Sequence, residues 1–116
     1  MKTSIRNLAH HSEVSEKAIE AYLVKKVKEL GGLCLKYSNP GMVGYPDRVI
    51  LLQGGITIWV ELKSRGQKPR EIQEIRIQQL RDLGHNAAVV SSKDEVDTLL
   101  ECARFFRDVE NEEDEL

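Results

Sequence analysis

The stretch GYPDRVILLQGGITIWVELK, residues 44–63, decides how this chain folds. It divides at Gln53-Gly54-Gly55 into two runs rich in β-branched and apolar residues, DRVILL (47–52) and ITIWVELK (56–63). That is the pattern of a β-hairpin around a short glycine turn. Pro46 stands just before the first run, where its missing N–H costs no ladder bond. Three charges interrupt the apolar pattern: Asp47 opens the first strand, and Glu61 and Lys63 close the second. Side chains two apart in a strand share a face. Ile56, Ile58, Val60 and Leu62 therefore share one face, and Thr57, Trp59, Glu61 and Lys63 the other. Glu61 and Lys63 emerge side by side, roughly 6.6 Å apart along the strand. Pairing across the turn sets Asp47 opposite the region of residue 61, so the hairpin brings two carboxylates together on adjacent strands.

The flanking sequence supplies the rest of the sheet. Upstream, a long helix is expected from about Ser12 to Leu30, with Ser12 as N-cap, Glu13 and Glu16 in its first turns and Gly31-Gly32 as its stop. A short strand LCLKY (33–37) and the loop SNPGMVGYP lead to the hairpin. Downstream, the loop SRGQKP opens a second helix from about Arg70 to Leu83, stopped by Gly84. The strand NAAVVS (86–91) and a last helix from about Lys93 to Phe106, with Ser92 as cap, complete the chain. The order αβββαβα predicts an α/β fold, a mixed sheet flanked by helices. The expected domain is single and spans residues 12–107, between a flexible N-terminus (1–11) and a disordered acidic tail (108–116).

Composition sets the outer bounds. A chain of 116 residues with 41% hydrophobic and 31% charged residues has the makeup of one soluble domain. No apolar run approaches the ~18 residues of a membrane helix. The polar opening MKTSIRNLAHHSEVSEK lacks a signal-peptide core, which points to an intracellular protein with Cys34 and Cys102 as free thiols. The net charge of −2 hides an asymmetry, because six acids crowd the tail DVENEEDEL. Without that tail, 17 basic residues face 13 acidic ones (19 less six), a body of +4. A mildly basic body is compatible with a polyanionic partner.

The hairpin charges admit three readings: solvated decoration, a structural ion pair or a catalytic site. Two carboxylates this close repel, and one stays protonated unless a positive charge sits between them. A hard divalent cation such as Mg²⁺ suits that place, since it takes oxygen ligands. Water held by such a cation is acidified into a usable nucleophile, and Lys63 could orient it or balance charge on a phosphate. The bare pattern D-x(13)-E-x-K is weak, but its surroundings add weight. At 100° per residue, Glu16 falls in the same stripe as Ile19, Leu23, Val27 and Leu30, where a carboxylate is costly unless paired or bound to metal. Glu20 lies nearer the stripe's edge. Arg65, Lys68 and Arg70 follow Lys63 on a loop from which they could reach phosphates. Gln73 is either a solvated helix residue or a hydrogen-bond partner of water or phosphate. His10, His11 and His85 read as solvated or loop residues, and Trp59 as core. No glycine-rich phosphate loop, zinc spacing or nucleophilic triad is present.

The segments EKAIEAYLVKKVKELGG (16–32), GYPDR (44–48), WVELKSRGQKPREIQEIRIQQLRDLG (59–84) and AAVVSS (87–92) together resemble the stand-alone VRR-NUC domain, a branch of the PD-(D/E)xK nucleases. The resemblance covers about residues 13–100 and implies a restriction-endonuclease-like core. It implies a metal-dependent DNA endonuclease in which Glu16, Asp47, Glu61 and the Leu62 carbonyl hold Mg²⁺ or Mn²⁺, with Glu20 the fallback for the helix position. Asp47, Glu61, Lys63 and Gln73 would then carry catalysis, and Arg48, Arg65, Lys68 and Arg70 would contact DNA. It further implies structure-selective cutting of branched DNA such as four-way junctions, 5′-phosphate products and a homodimer. It leaves room for a helicase or other replication-repair partner in a bacterial cytoplasm or nucleoid. Rival readings are a catalytically silent DNA-binding module of the same fold, or a structural α/β protein with an ion-paired hairpin.

Overall fold

The chain is described by a computed structural model that gives the backbone of residues 15–115 and the side chains of residues 15–104. Helix α1 (Glu16–Glu29) begins where the Ser15 hydroxyl accepts a hydrogen bond from the Ala18 N–H at 3.1 Å, the N-cap arrangement that satisfies one orphan donor. The expected cap, Ser12, lies outside the described residues, as do His10, His11 and the segment 1–11. The helix ends on Gly31 at φ +77, with Gly32 N–H bonded to Val27 C=O and Gly31 N–H to Lys28 C=O. This is a Schellman stop, which needs a left-handed residue. Ile19, Leu23 and Val27, all 0% exposed, form its buried stripe.

Strands β1 (Leu33–Lys36), β2 (Arg48–Leu52) and β3 (Ile56–Leu62) form an antiparallel meander, and β4 (Asn86–Val90) joins β3 in parallel. The order β1-β2-β3-β4 puts β3 in the interior of a mixed sheet, as the element order predicts. Helix α2 (Glu71–Asp82) connects β3 to β4, and α3 (Lys93–Glu115) follows β4, opened by a Glu95 N–H bond to the Ser92 hydroxyl at 3.0 Å. Each strand is one residue shorter than the run that announces it.

Alternation along β3 builds two cores. Ile58, Val60 and Leu62 join Ile19, Leu23, Val27, Ile50, Val90, Val96 and Leu100, so α1 and α3 cover one face. Trp59 turns the other way and packs with Ile77, Leu80 and Ala87 under α2. The acidic segment after Phe106, expected as a disordered tail, instead continues α3 to Glu115. Its glutamates are good helix formers, and no glycine or proline intervenes.

Ile50 is 0% exposed and stands in the pairing row Cys34–Ile50–Ile58. Replacing Ile50 with Ala should cost about 3 kcal/mol of stability through lost burial and an unfilled cavity. Urea denaturation would register this as a lower midpoint at an unchanged slope.

Candidate active site

The hairpin register fixes the site. Arg48 pairs with Val60, so Asp47, one residue earlier, stands at the level of Glu61 on the neighbouring strand. The Asp47 carbonyl accepts the Tyr37 N–H at 2.8 Å, which holds this corner against the end of β1. Asp47 itself is exposed, whereas Glu61 is only 1% exposed.

A buried carboxylate requires partners, and Glu61 has two on one oxygen. Gln73 Nε2 donates to Glu61 Oε1 at 2.8 Å, and Lys63 Nζ lies 3.7 Å from the same atom. Gln73 is held in turn, because its Oε1 accepts the Arg70 N–H at 2.8 Å at the start of α2. Glu61 Oε2 is buried without a partner among the described residues. Burial, then the neighbouring charge of Asp47, pushes the Glu61 carboxyl up to about 7; Lys63 works against both, and Glu16 adds a smaller push.

The other anticipated residues divide. Glu16 is exposed, not buried in the α1 stripe, because it occupies the first helical position, one turn before Ile19, where the packed surface begins. Its charge still reaches Glu61. Glu20 is engaged elsewhere: Arg48 Nε donates to its Oε2 at 3.2 Å. Arg48 also donates to the Cys34 carbonyl at 3.3 Å and is 8% exposed. Arg48, expected to contact DNA, is thus engaged within the fold. The pleat that turns Asp47 toward Glu61 turns its neighbour toward α1. Arg65, Lys68 and Arg70 are exposed on the loop after Lys63. The Leu62 side chain is buried in the core, so only its carbonyl could serve as a ligand. Gln73 is buried at 6% exposure, which removes the reading of a solvated helix residue. Cys34 and Cys102 are free, and burial pushes the Cys34 thiol up. Trp59 packs as core, 5.0 Å from Tyr37 in a T-shaped contact.

Could this constellation hold a divalent ion? The donor set is all oxygen, which suits a hard cation. The unpartnered buried Oε2 of Glu61 beside a second carboxylate is the feature such an ion would satisfy. Among the described residues no three His, Cys, Asp or Glu side chains converge into a cage of their own. The fit is thus to an ion that takes one or two carboxylates and completes its shell with phosphate and water, the manner of Mg²⁺. A cavity of about 540 Å³ lies at the start of β3 and β4 beside Leu99 and Cys102, and none of the site residues lines it.

A mixed sheet with a D…E-x-K hairpin, a glutamine from the following helix and a glutamate from the preceding one is the arrangement that the resemblance to the nucleases implies. Comparison with known proteins agrees. The chain is 40% identical over 81 residues to "Putative nuclease p44" of Acyrthosiphon pisum secondary endosymbiont phage 1, covering 70% of this chain and 87% of the phage protein. A solved "VRR_NUC domain" superposes with a TM-score of 0.70 at 34% identity, covering 74% of this chain and 94% of that one. A second, a "VRR_NUC domain protein", shares the fold at a TM-score of 0.61 and 18% identity, over 77% and 87% of the two chains. No protein-family model matches the chain. The chain belongs to the VRR-NUC family.

The Glu61 environment has a measurable consequence. Its folded-state carboxyl titrates near 7, against 4.5 ordinarily, so between those values the folded state holds more protons than the unfolded chain. Without divalent ions, stability should fall as pH rises from about 4.5 to about 7 and stay low above that. Glu61→Gln removes the ionisation and should be the more stable protein at pH 8, by about 3 kcal/mol. The difference should vanish at pH 4. Urea melts in EDTA at both pH values check this, and a difference independent of pH would refute it.

Proposed function

We propose that this chain is a divalent-metal-dependent endodeoxyribonuclease that hydrolyses phosphodiester bonds in DNA. The observation that carries the reading is the unpartnered buried Oε2 of Glu61, set level with Asp47 and locked in place by Gln73 and Lys63. Asp47, Glu61 and the Leu62 carbonyl would hold Mg²⁺ or Mn²⁺, with Glu16 joining from α1. When bound, the ion supplies a Lewis acid for the phosphate oxygens and a source of acidified water.

The chain's own residues do the positioning. Gln73 fixes the rotamer of Glu61 and keeps Oε2 facing the site. Lys63 stands 3.7 Å from Glu61 Oε1 with a largely buried side chain, placed to orient the attacking water or to balance charge growing on the phosphate. Arg65, Lys68 and Arg70 line the approach and neutralise backbone phosphates without reading bases. Relatedness to a phage protein named as a nuclease supports the same activity. The finer reading is of a homodimer that cuts branched DNA such as four-way junctions and leaves 5′-phosphates. A helicase or another replication-repair protein would bring the substrate. Two-fold symmetry suits the paired cuts such a junction requires.

The test is cleavage of labelled duplex, flap and four-way-junction DNA with Mg²⁺, Mn²⁺ or EDTA. Cutting should require the metal. Lys63→Ala and Asp47→Asn should each lower the rate by at least about a hundredfold, with folding intact by circular dichroism. A catalytically silent DNA-binding module would bind all three substrates and cut none.

A further inference from the structure

The loop between β1 and β2 exposes two adjacent apolar side chains, Met42 at 48% and Val43 at 61%. The segment is held on every side. Asn39 Oδ1 accepts the Met42 N–H at 3.1 Å, and the Asn39 carbonyl accepts it at 3.2 Å. Arg76, from α2, donates to the Val43 carbonyl at 3.0 Å. Gly44, at φ +96, lies so close to α2 that a Cβ there would meet Ile72 Cγ1 at 2.7 Å. Tyr45 is gripped between Tyr37, at a 6.3 Å T-shaped contact, and the Arg76 guanidinium, 4.9 Å from its ring. Rigid support normally serves to bury apolar groups. Here it holds two of them out in water.

Their position suggests a use. Val43 is four residues from Asp47, so their backbones lie within roughly 14 Å of each other, about four base steps. The helix that supports the tip is preceded by the exposed cations Arg65, Lys68 and Arg70. An apolar point braced on a helix that follows an exposed cationic loop, near the proposed phosphodiester site, matches DNA with an exposed base stack. Side chains such as Met act as wedges between base steps, at the cost of unstacking them. In continuous duplex that cost is met in full; at a branch point the stack is already interrupted.

We propose that Met42 and Val43 form a wedge that stacks against the open base step of branched DNA and so sets the preference of this site for branched over continuous duplex. The proposal rests on the endonuclease reading above and assigns its substrate selectivity to named residues. The wedge acts in binding, before any bond is broken.

The full chain would be titrated, in EDTA, into a four-way junction and a matching duplex, each carrying 2-aminopurine at the central step. Anisotropy reports binding, and 2-aminopurine fluorescence reports unstacking. The wild type should bind the junction more tightly and raise its fluorescence. Met42→Ala/Val43→Ala should lose about tenfold of that preference and the fluorescence rise, with duplex affinity and melting temperature unchanged. Met42→Leu/Val43→Ile should keep both. An unchanged preference in the alanine variant overturns the wedge while wild-type cleavage with Mg²⁺ keeps the endonuclease reading. An equal loss on junction and duplex also overturns it, by making the tip a general contact or a protein-docking point. A wild type that neither binds nor cuts any of these DNAs overturns both.

Discussion

A carboxylate at the end of an interior strand, shut off from water, is the constraint from which the rest of this molecule follows. Burial penalises the charged form of Glu61, and together with the nearby charge of Asp47 it pushes the carboxyl up to about 7. Its burial is helped by its place on an interior strand, with β2 on one side of β3 and β4 on the other. It also requires a donor from outside the sheet. Gln73 supplies it, so α2 must start where its first turn overlies the end of β3. The Arg70 N–H bond to Gln73 ties that start to the carboxylate. One oxygen of Glu61 is thereby satisfied and the other is not. A purely structural glutamate gains nothing from this arrangement, since an unmade hydrogen bond to a buried charged group is among the costliest omissions a fold can carry.

The sheet separates chemistry from packing by its pleat. Along β3, Ile58, Val60 and Leu62 serve the core beneath α1 and α3, while Trp59, Glu61 and Lys63 face the side of α2. The same alternation divides two neighbours on β2. Asp47 belongs to the site, and Arg48 reaches through the opposite face to Glu20 and the Cys34 carbonyl. That ion pair fastens α1 to the hairpin one helical turn from Glu16. The pair is half-buried, Arg48 inside and Glu20 partly in water, so it adds little net stability, and breaking it from the Glu20 side leaves the buried guanidinium short of a partner. It therefore fixes where the helix begins relative to the hairpin, and the charge of Glu16 falls within reach of Glu61 as a result.

Much of this could be read from the chain itself. The hairpin is fully specified by a glycine turn and a period of two, so counting residues places Asp47 level with Glu61 without reference to any distant contact. The sheet order needs only the alternation of element types. Arg48 carried a legible signal too: adjacent strand residues point to opposite faces, so it could not share a surface with Asp47. Three features were not legible. The burial of Gln73 depends on the rotational phase of α2 after an irregular loop, which sequence spacing does not set. Glu16 has the helical phase of the buried stripe, but its exposure depends on where the packed surface ends, a property of the tertiary structure. The acidic segment after Phe106 has the charge of a solvated tail and the propensity of a helix, and no local rule ranks the two.

The partial cage is itself informative about timing. Glu61 is buried and hydrogen-bonded, Asp47 and Glu16 are exposed, and no three acidic or ligating side chains among the described residues close around a point. A site meant to hold an ion permanently would converge its ligands, because each added charge and each fixed oxygen deepens binding. A site meant to act on a phosphodiester benefits from the opposite design. On the endonuclease reading, Glu61 would be the fixed ligand, Asp47 and Glu16 would be free to join it, and the phosphate of the substrate would supply what the protein withholds. The ion would then be held most firmly when DNA is present. The raised titration of Glu61 works in the same direction. Near neutral pH the Glu61 carboxyl holds a proton readily, so on that reading a cation would have to displace it, and the added phosphate ligand would favour that exchange.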